Sequence, residues 1–493
     1  MKISKVLLIA PPVYTTKTYF DISPSPPIGL GYLASTLEKA GIEVRIVDCL
    51  IRGWNHSEDI DDQFARVGLS DKEIKDIIAD FDPDLIGMNC QFTKQYKVYH
   101  HMFRLFKEVK RACVTAAGGA HPTVLPEEVL GDPNCDFVLM GEGEESFGEL
   151  IASITGDSPV DKIDGLGWKR DGKMHINPKE RWIEDLDSIP FPAYHLMELE
   201  RYFGLEFSHG ERHRTRFSPI VTSRGCPAKC TFCSAYKVWG KRHRFRSVDN
   251  VLAEMRILKK KHGIEELAFE DDNVTANPKR AKELFSRMAQ ERFGFVWDTP
   301  NGVGVWSIDE EMIDLMKKSG CIKLNFPAES GSQDVVDHII NKPIKLKRVK
   351  ELIKHCHKIG LDCGMFLVMG MPGEKLGDIW RSFTFAAESG CYEPVISVAT
   401  PYPGTKLFEE CAKKGLFAKE FELDDLSTRG FMIRTADWDE KDLKRIFVKG
   451  DLYLKFRNLV AHPGRSIKNT VRKFGDPASA FSYFKRTIGY FLK

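Results

Sequence analysis

The sequence predicts an α/β protein in two parts: an N-terminal doubly wound parallel sheet, then a partial six-fold (βα) barrel with a helical tail. Three observations predict it. Short apolar runs bounded by Gly, Pro or Asn alternate with stretches of helical periodicity, and this alternation occurs twice along the chain. A proline-bearing stretch separates the two occurrences, and 493 residues exceed what one ordinary core organises. The expected parts are 1–154, a connector over 155–215, 216–435, and a tail over 436–493.

In the first part, "KVLLIAPP" reads as a buried strand ended by proline, and "PIGLGYLASTLEKAG" as a helix stopped by glycine. "EVRIVDCL" alternates as a strand and "SDKEIKDIIADF" has helical character. "DLIGMNCQ" is a strand, "YKVYHHMFRLFKEVKRA" a helix, and "VTAAGGAH" a strand entering a Gly-Gly turn. "DFVLMGEGEESFGELIASI" closes the series as strand, turn and helix. Five parallel strands with crossover helices make a flavodoxin-like sheet whose ligand edge lies at the carboxyl ends of the strands. Asp48, Asn89, Gly118, Gly119, His121, Glu142 and Gly143 cluster at those ends, with Gly29 at the start of the first helix. So many polar and Gly-rich ends together point to a crevice that lets a large ligand approach the backbone.

The connector holds a candidate hairpin, "DGLGWKRDGKMHINP", and a proline-bearing strap, "DLDSIPFPAYHLMELERYF". From "SPIVTSRGC" the alternation resumes with strands in "ELAFEDDNV", "GFVWDTPNGVG", "CIKLNFPAESGS", "DCGMFLVMGMPGE" and "PVISVATPYPG". Helical patterns separate them, as in "VDNVLAEMRILKKKHG" and "LKRVKELIKHCHKIG". Six strands and five helices suggest an open barrel with its chemistry at the C-terminal strand ends.

Twelve cysteines are many for a chain without a secretory signal, and "KVLLIAPP" is too short for a signal core. No window approaches the roughly 18 apolar residues of a membrane span. A cytoplasmic protein with reduced thiols is expected. Nine cysteines (Cys49, Cys90, Cys113, Cys135, Cys321, Cys356, Cys363, Cys391, Cys411) are scattered singly and read as buried free thiols. Cys226, Cys230 and Cys233, in "RGCPAKCTFC", differ. Zinc would want four ligands, and no second CxxC or complementary His is present. Three thiolates on one tight loop suit a [4Fe–4S] cube with one iron left open for a small chelating ligand.

Cys226, Cys230 and Cys233, with Phe232 before the last, resemble the CxxxCxΦC loop of the radical S-adenosylmethionine (SAM) enzymes. The resemblance implies a cluster whose free iron chelates SAM and cleaves it reductively to a radical that abstracts a substrate hydrogen. "FEDDN" (Asp271, Asp272), "AESGS" (Glu329, Ser330), "VMGMPGE" (Gly370) and "PYPGT" (Pro401) look like that family's strand-end segments that meet SAM. "SPPIGLGYLASTLEKAGIEVRIVD", "GGAHPTVLPEEVL" and "VLMGEGEESF" are similar to the cobalamin-binding-like domain of one subfamily. That subfamily includes anaerobic ring cyclases of the porphyrin pathway and methylases of unactivated carbons. No DxHxxG stretch occurs, so no histidine is placed to ligate cobalt in that manner. The methylthiotransferases fit less well, because the first strand ends in "APP" rather than a cysteine.

Net charge is +2, but 13 Lys and Arg against three Asp from Lys441 onward give that tail about +10 and leave about −8 for the rest. "KRIFVKGDLYLKFRNLV" and "FSYFKRTIGYFLK" mix aromatic and basic residues. They fit a helical cap on the barrel or an amphipathic helix on the inner face of an anionic membrane; nucleic acid is the weakest of the three expectations.

The expected activity is anaerobic methylation of an unactivated carbon in a hydrophobic (lipid or tetrapyrrole-like) or other small molecule. It would use a [4Fe–4S] cluster, SAM and cobalamin, with an electron donor such as flavodoxin or ferredoxin. Ring-forming oxidation is the alternative, and a non-enzymatic iron–sulfur sensor or scaffold a third reading. No residue stands out as general acid or base.

Overall fold

The computed structural model describes residues 2–17, 22–156, 158–205, 207–392, 394–426, 430–461 and 463–464. The first unit runs β1 (Lys5–Ala10), α1 (Ile28–Lys39), β2 (Glu43–Asp48), α2 (Asp71–Phe81), β3 (Leu85–Asn89), α3 (Tyr96–Val109), β4 (Val114–Gly118), β5 (Phe137–Leu139) and α4 (Glu144–Thr155). Val6, Leu7, Leu8 and Ile9 are buried from both faces, which is why β1 reads as an unbroken apolar run. Ser70 and Glu73 form a capping box that starts α2, and Ile74, Ile78 and Phe81 form its buried face. The strands order as β5-β4-β3-β1-β2, all parallel, so the ligand edge lies where the order reverses, beside β1 and β3.

The sheet does not stop there. A hairpin, β6 (Leu166–Arg170) and β7 (Lys173–Ile176), adds antiparallel to β5, with Val138 opposite Gly167. Leu166 and Trp168 bury their side chains in that position, so the first sheet extends to residue 176 and the strap begins after it. The strap then packs on α1, where a Cβ at Gly31 would lie 2.9 Å from Pro192 Cβ.

The second unit holds six parallel strands in chain order, β8 (Phe217–Ile220), β9 (Glu266–Phe269), β10 (Val296–Asp298), β11 (Cys321–Glu329), β12 (Asp362–Met369) and β13 (Pro394–Val398). Between them run α5 (Val248–His262), α6 (Pro278–Glu291), α7 (Glu310–Lys318), α8 (Leu346–Lys358) and α9 (Leu376–Ser389). This is the expected open barrel. Two further helices follow, α10 (Lys406–Lys414) and α11 (Glu440–Ala461). Gly450 lets α11 meet α9, since a Cβ there would overlap the Phe383 ring. "FSYFKRTIGYFLK" lies outside the described residues. Among the described residues no helix is long and apolar enough to cross a membrane.

Candidate active site

The cysteine loop leaves a short antiparallel pair, Ser223–Arg224 against Arg244–Phe245, at the mouth of the barrel. Gly225 makes the turn at φ +82°, and a Cβ there would sit 2.5 Å from the Arg242 carbonyl oxygen, so only glycine fits. The nine scattered cysteines are all buried, whereas Cys226, Cys230 and Cys233 are partly exposed. Thr231 holds the loop in place. Its N–H donates to the Ile340 carbonyl at 3.0 Å, its hydroxyl to the Ile339 carbonyl at 3.0 Å, and its own carbonyl accepts from Leu407 N–H at 2.9 Å.

Burial pushes the Cys230 thiol up to about 12 and the Cys233 thiol up to about 11, each also raised by its neighbouring thiol. Binding iron must therefore displace protons. Lys342 opposes the burial at all three cysteines. It is itself buried and ion-paired to Glu329 at 2.5 Å. Glu329 adopts φ +63°, a left-handed conformation that a glutamate holds only when its surroundings impose it. Among the described residues no three His, Cys, Asp or Glu side chains gather on a point that would hold a single metal ion. Three free thiols on one loop, with Cys226 acting on both of the others, are a donor set that fits an iron–sulfur cube.

The strand ends divide the remaining SAM-facing expectations. Asp272 accepts the Gly225 N–H at 3.1 Å and acts on Cys226 and Cys233, and burial pushes its carboxyl up to about 6. Phe232, in the cysteine loop, is partly exposed. Asp271 is different: it is buried and accepts from Thr222 N–H, the Thr222 hydroxyl at 2.8 Å and the Ser223 hydroxyl at 2.5 Å. It ties β9 to the strand before the cysteines instead of facing a ligand. Ser330 is fully buried against Ser382 at 3.3 Å, which also withdraws it from the mouth. Gly370 donates its N–H to Glu374 at 2.8 Å inside a buried turn, and Pro401 is buried at the start of the turn after β13.

At the ligand edge of the first sheet, Gly29, Asn89, Gly118, Gly119 and Gly143 lie open or partly open. Gly119 adopts φ +111°, and a Cβ there would lie 2.9 Å from both Asn89 Oδ1 and the Cys90 carbonyl oxygen. At Gly29 a Cβ would meet nothing. Such an edge, built mostly of glycine, fits a large flat ligand such as cobalamin. Three expected contacts are used otherwise. Asp48 caps the following turn through Leu50 and Ile51 N–H and accepts the Tyr202 hydroxyl at 2.5 Å. His121 is sealed from solvent and bonded through Nε2 to Glu128 at 3.0 Å. Glu142 is buried in an ion network.

That network was not legible in the sequence. Arg224, two residues before Cys226, donates to Glu142 at 2.9 Å and to Glu144 at 2.5 Å. Arg244 donates to both Glu142 oxygens at 2.8 Å and to the Ile183 carbonyl at 2.6 Å. All four side chains are buried. The first sheet thus grips the root of the cysteine loop through a charge-balanced pair of arginines and glutamates. Tandem glutamates in "GEGEE" and an arginine directly ahead of a cysteine motif were the available signals. Lys342 carried none.

Comparison with known proteins agrees with this geometry. Residues 22–151 match the B12 binding domain family and residues 220–386 the radical SAM superfamily. Cytidylyl-2-hydroxyethylphosphonate methyltransferase of Streptomyces wedmorensis is 35% identical over 86% of this chain and 85% of its own length. The chain belongs to the cobalamin-dependent radical SAM enzymes. The anaerobic magnesium-protoporphyrin IX monomethyl ester cyclase of Rubrivivax gelatinosus is 26% identical over 79% of this chain and 67% of its own. Among solved structures, the radical SAM methyltransferase TsrM of Kitasatospora setae, with cobalamin and a [4Fe–4S] cluster bound, superposes with a TM-score of 0.67 at 18% identity, covering 84% of this chain and 78% of that one. As a cobalamin-dependent radical SAM enzyme the chain uses a [4Fe–4S] cluster, SAM and cobalamin, and its family contains both methyltransferases and cyclases.

Proposed function

We propose that this enzyme methylates an unactivated carbon of a small molecule, in preference to closing a ring. One observation carries the reading. The short helix Ala235–Trp239, directly after the cysteines, packs on helix Ala120–Val124, directly after Gly118 and Gly119. A Cβ at Gly404, beyond β13, would also lie 2.9 Å from Val124. The cobalamin edge and the cluster loop therefore share one mouth, the arrangement a methyl donor needs to face a carbon activated beside the cluster.

In this reading Cys226, Cys230 and Cys233 hold the cluster, and Asp272 and Phe232 border the SAM beside it. Glu329 fixes Lys342, whose buried positive charge offsets that of the thiolates. Gly29, Asn89, Gly118, Gly119 and Gly143 receive cobalamin. The bound groups supply an electron to SAM and a methyl group to the substrate. Anaerobic turnover with methyl-labelled SAM tests the proposal. A labelled product supports methylation; 5′-deoxyadenosine with an unlabelled, ring-closed product refutes it.

A small acidic flavodoxin or ferredoxin is the electron donor in this reading, and the C-terminal helix touches a membrane surface. On α11, Leu452, Phe456, Leu459 and Val460 are exposed and fall on one stripe, continued toward the N-terminus by exposed Lys441, Arg445 and Lys449. Vesicles of anionic and zwitterionic lipid should sediment the full chain and leave behind a chain ending at Asp437. Equal sedimentation of both removes the membrane contact.

A further inference from the structure

Along β9 and β10 the inner wall of the barrel is charged where a lipid or a macrocycle would need an apolar surface. Side-chain direction follows from the alternate residues. Phe269 of β9 and Trp297 of β10 face the helices, with ring centroids 4.9 Å apart and Trp297 stacked on Phe285 of α6 at 4.9 Å. Glu266, Glu270 and Asp298 therefore point the other way, into the barrel.

Two tiers of charge result. In the lower tier Arg212, from the strap before β8, lies between Glu266 at 3.2 Å and Asp298 at 3.0 Å, and its side chain is 1% exposed. Glu266 also accepts the His213 and Arg214 N–H groups at 2.7 and 2.6 Å. This tier is sealed from solvent, although Arg212 Nε and Nη1 and Glu266 Oε1 make no hydrogen bond within it.

The upper tier is not. Glu270, just past the end of β9, accepts from His209 Nδ1 at 2.6 Å through Oε2, while its Oε1 is buried with no partner. His209 is half-exposed, which leaves Nε2 as the outward-facing polar atom of the pair. Burial lowers the affinity of His209 for a proton, but the Glu270 carboxylate outweighs it, and the imidazole is held above its usual range. The Asn301 amide donates to the Glu270 carbonyl at 3.2 Å, fixing this strand end. Two residues further on stands Asp272, which acts on Cys226 and Cys233. The pair is therefore on the cluster side of the mouth.

A sterol-like or tetrapyrrole face laid over this pair would strip water from the half-exposed imidazole and its carboxylate partner and offer no polar atom in return. We propose that Glu270 and His209 form the substrate-specificity site and that the substrate is a hydrophilic small molecule, presenting a hydroxyl or N–H to Glu270 and an anionic or carbonyl oxygen to His209. This rests on the methyl-transfer reading and narrows the sequence-based expectation of a lipid or tetrapyrrole.

The test uses the holoenzyme, methyl-deuterated SAM and an extract of the cells the protein comes from, with the quenched reaction partitioned between chloroform and water. The expected result is deuterium-labelled product in the aqueous phase. For Glu270→Gln and His209→Ala, the amount of extract giving half-maximal labelling should rise about tenfold or more, as loss of one hydrogen bond to a charged group implies. Iron analysis and cobalamin absorbance at wild-type levels show that each variant is folded and loaded. Label in the chloroform phase overturns the proposal while leaving methylation intact. So does an unchanged half-maximal point in both loaded variants. Production of 5′-deoxyadenosine with label in neither phase refutes the methyl-transfer reading and this proposal with it.

Discussion

Replacing Glu142 by Gln probes the junction that aligns the two halves. The carboxylate is 1% exposed and receives Arg224, Arg244 and the Ile183 N–H within 2.9 Å. Gln keeps the shape and part of the hydrogen bonding but removes the charge, leaving two buried guanidiniums with Glu144 as their remaining carboxylate. Breaking a buried, hydrogen-bonded pair costs about 3–5 kcal/mol. At roughly 1 °C per kcal/mol for a chain of 493 residues, that loss lowers the midpoint of thermal unfolding by about 3–5 °C. The assay is unfolding of the cofactor-free chain in a double-mutant cycle with Arg244→Met. Residues sharing one network should couple by about 1 kcal/mol or more, whereas independent sites add to within about 0.5 kcal/mol. Additive losses, or a midpoint within about 1 °C of wild type, would refute the role given to this network.

The remaining predictions concern the cysteine loop and one buried acid. Gly225→Ala should sharply reduce iron and sulfide incorporation, because the new Cβ meets the Arg242 carbonyl at 2.5 Å; full incorporation contradicts the loop geometry. Lys342→Met removes the buried positive charge that acts on all three thiols, so the cluster should become harder to reduce in an EPR redox titration. An unchanged potential would show that this charge is not felt at the cluster. Burial pushes the Glu374 carboxyl up to about 8. The unfolded chain loses this proton near pH 4.5 and the folded chain near pH 8, so the folded state holds the extra proton in between and stability falls as pH rises. Melting midpoints at pH 5, 6.5 and 8 should therefore decline less steeply in Glu374→Gln, and parallel slopes would rule this out.

Much of the fold was legible because parallel strands buried on both faces leave apolar runs that end in turn residues, as at Leu85–Asn89 and Glu266–Phe269. The hairpin over 166–176 was recognisable as a hairpin but not as part of the first sheet. Its pairing with β5 depends on Trp168 and Leu166 finding a buried place that no local pattern announces. In the site, the cysteines stood out by spacing alone. The carboxylates did not sort themselves. Asp271 and Asp272 are neighbours in one motif, yet the first is consumed by Thr222 and Ser223 while the second faces the thiols. Glu142 read as a ligand contact because its arginine partners lie 82 and 102 residues away. His209 and Glu270 had no signal of their own, since only closure of the strap over the barrel brings them together.

The measurement nearest the central claim is Mössbauer spectroscopy of anaerobic protein reconstituted with iron-57, before and after SAM is added. A cube gripped by Cys226, Cys230 and Cys233 alone should show one iron site whose parameters change on addition of SAM, while the others stay fixed. A spectrum in which no iron responds, or a site that takes up zinc in place of the cube, would contradict it.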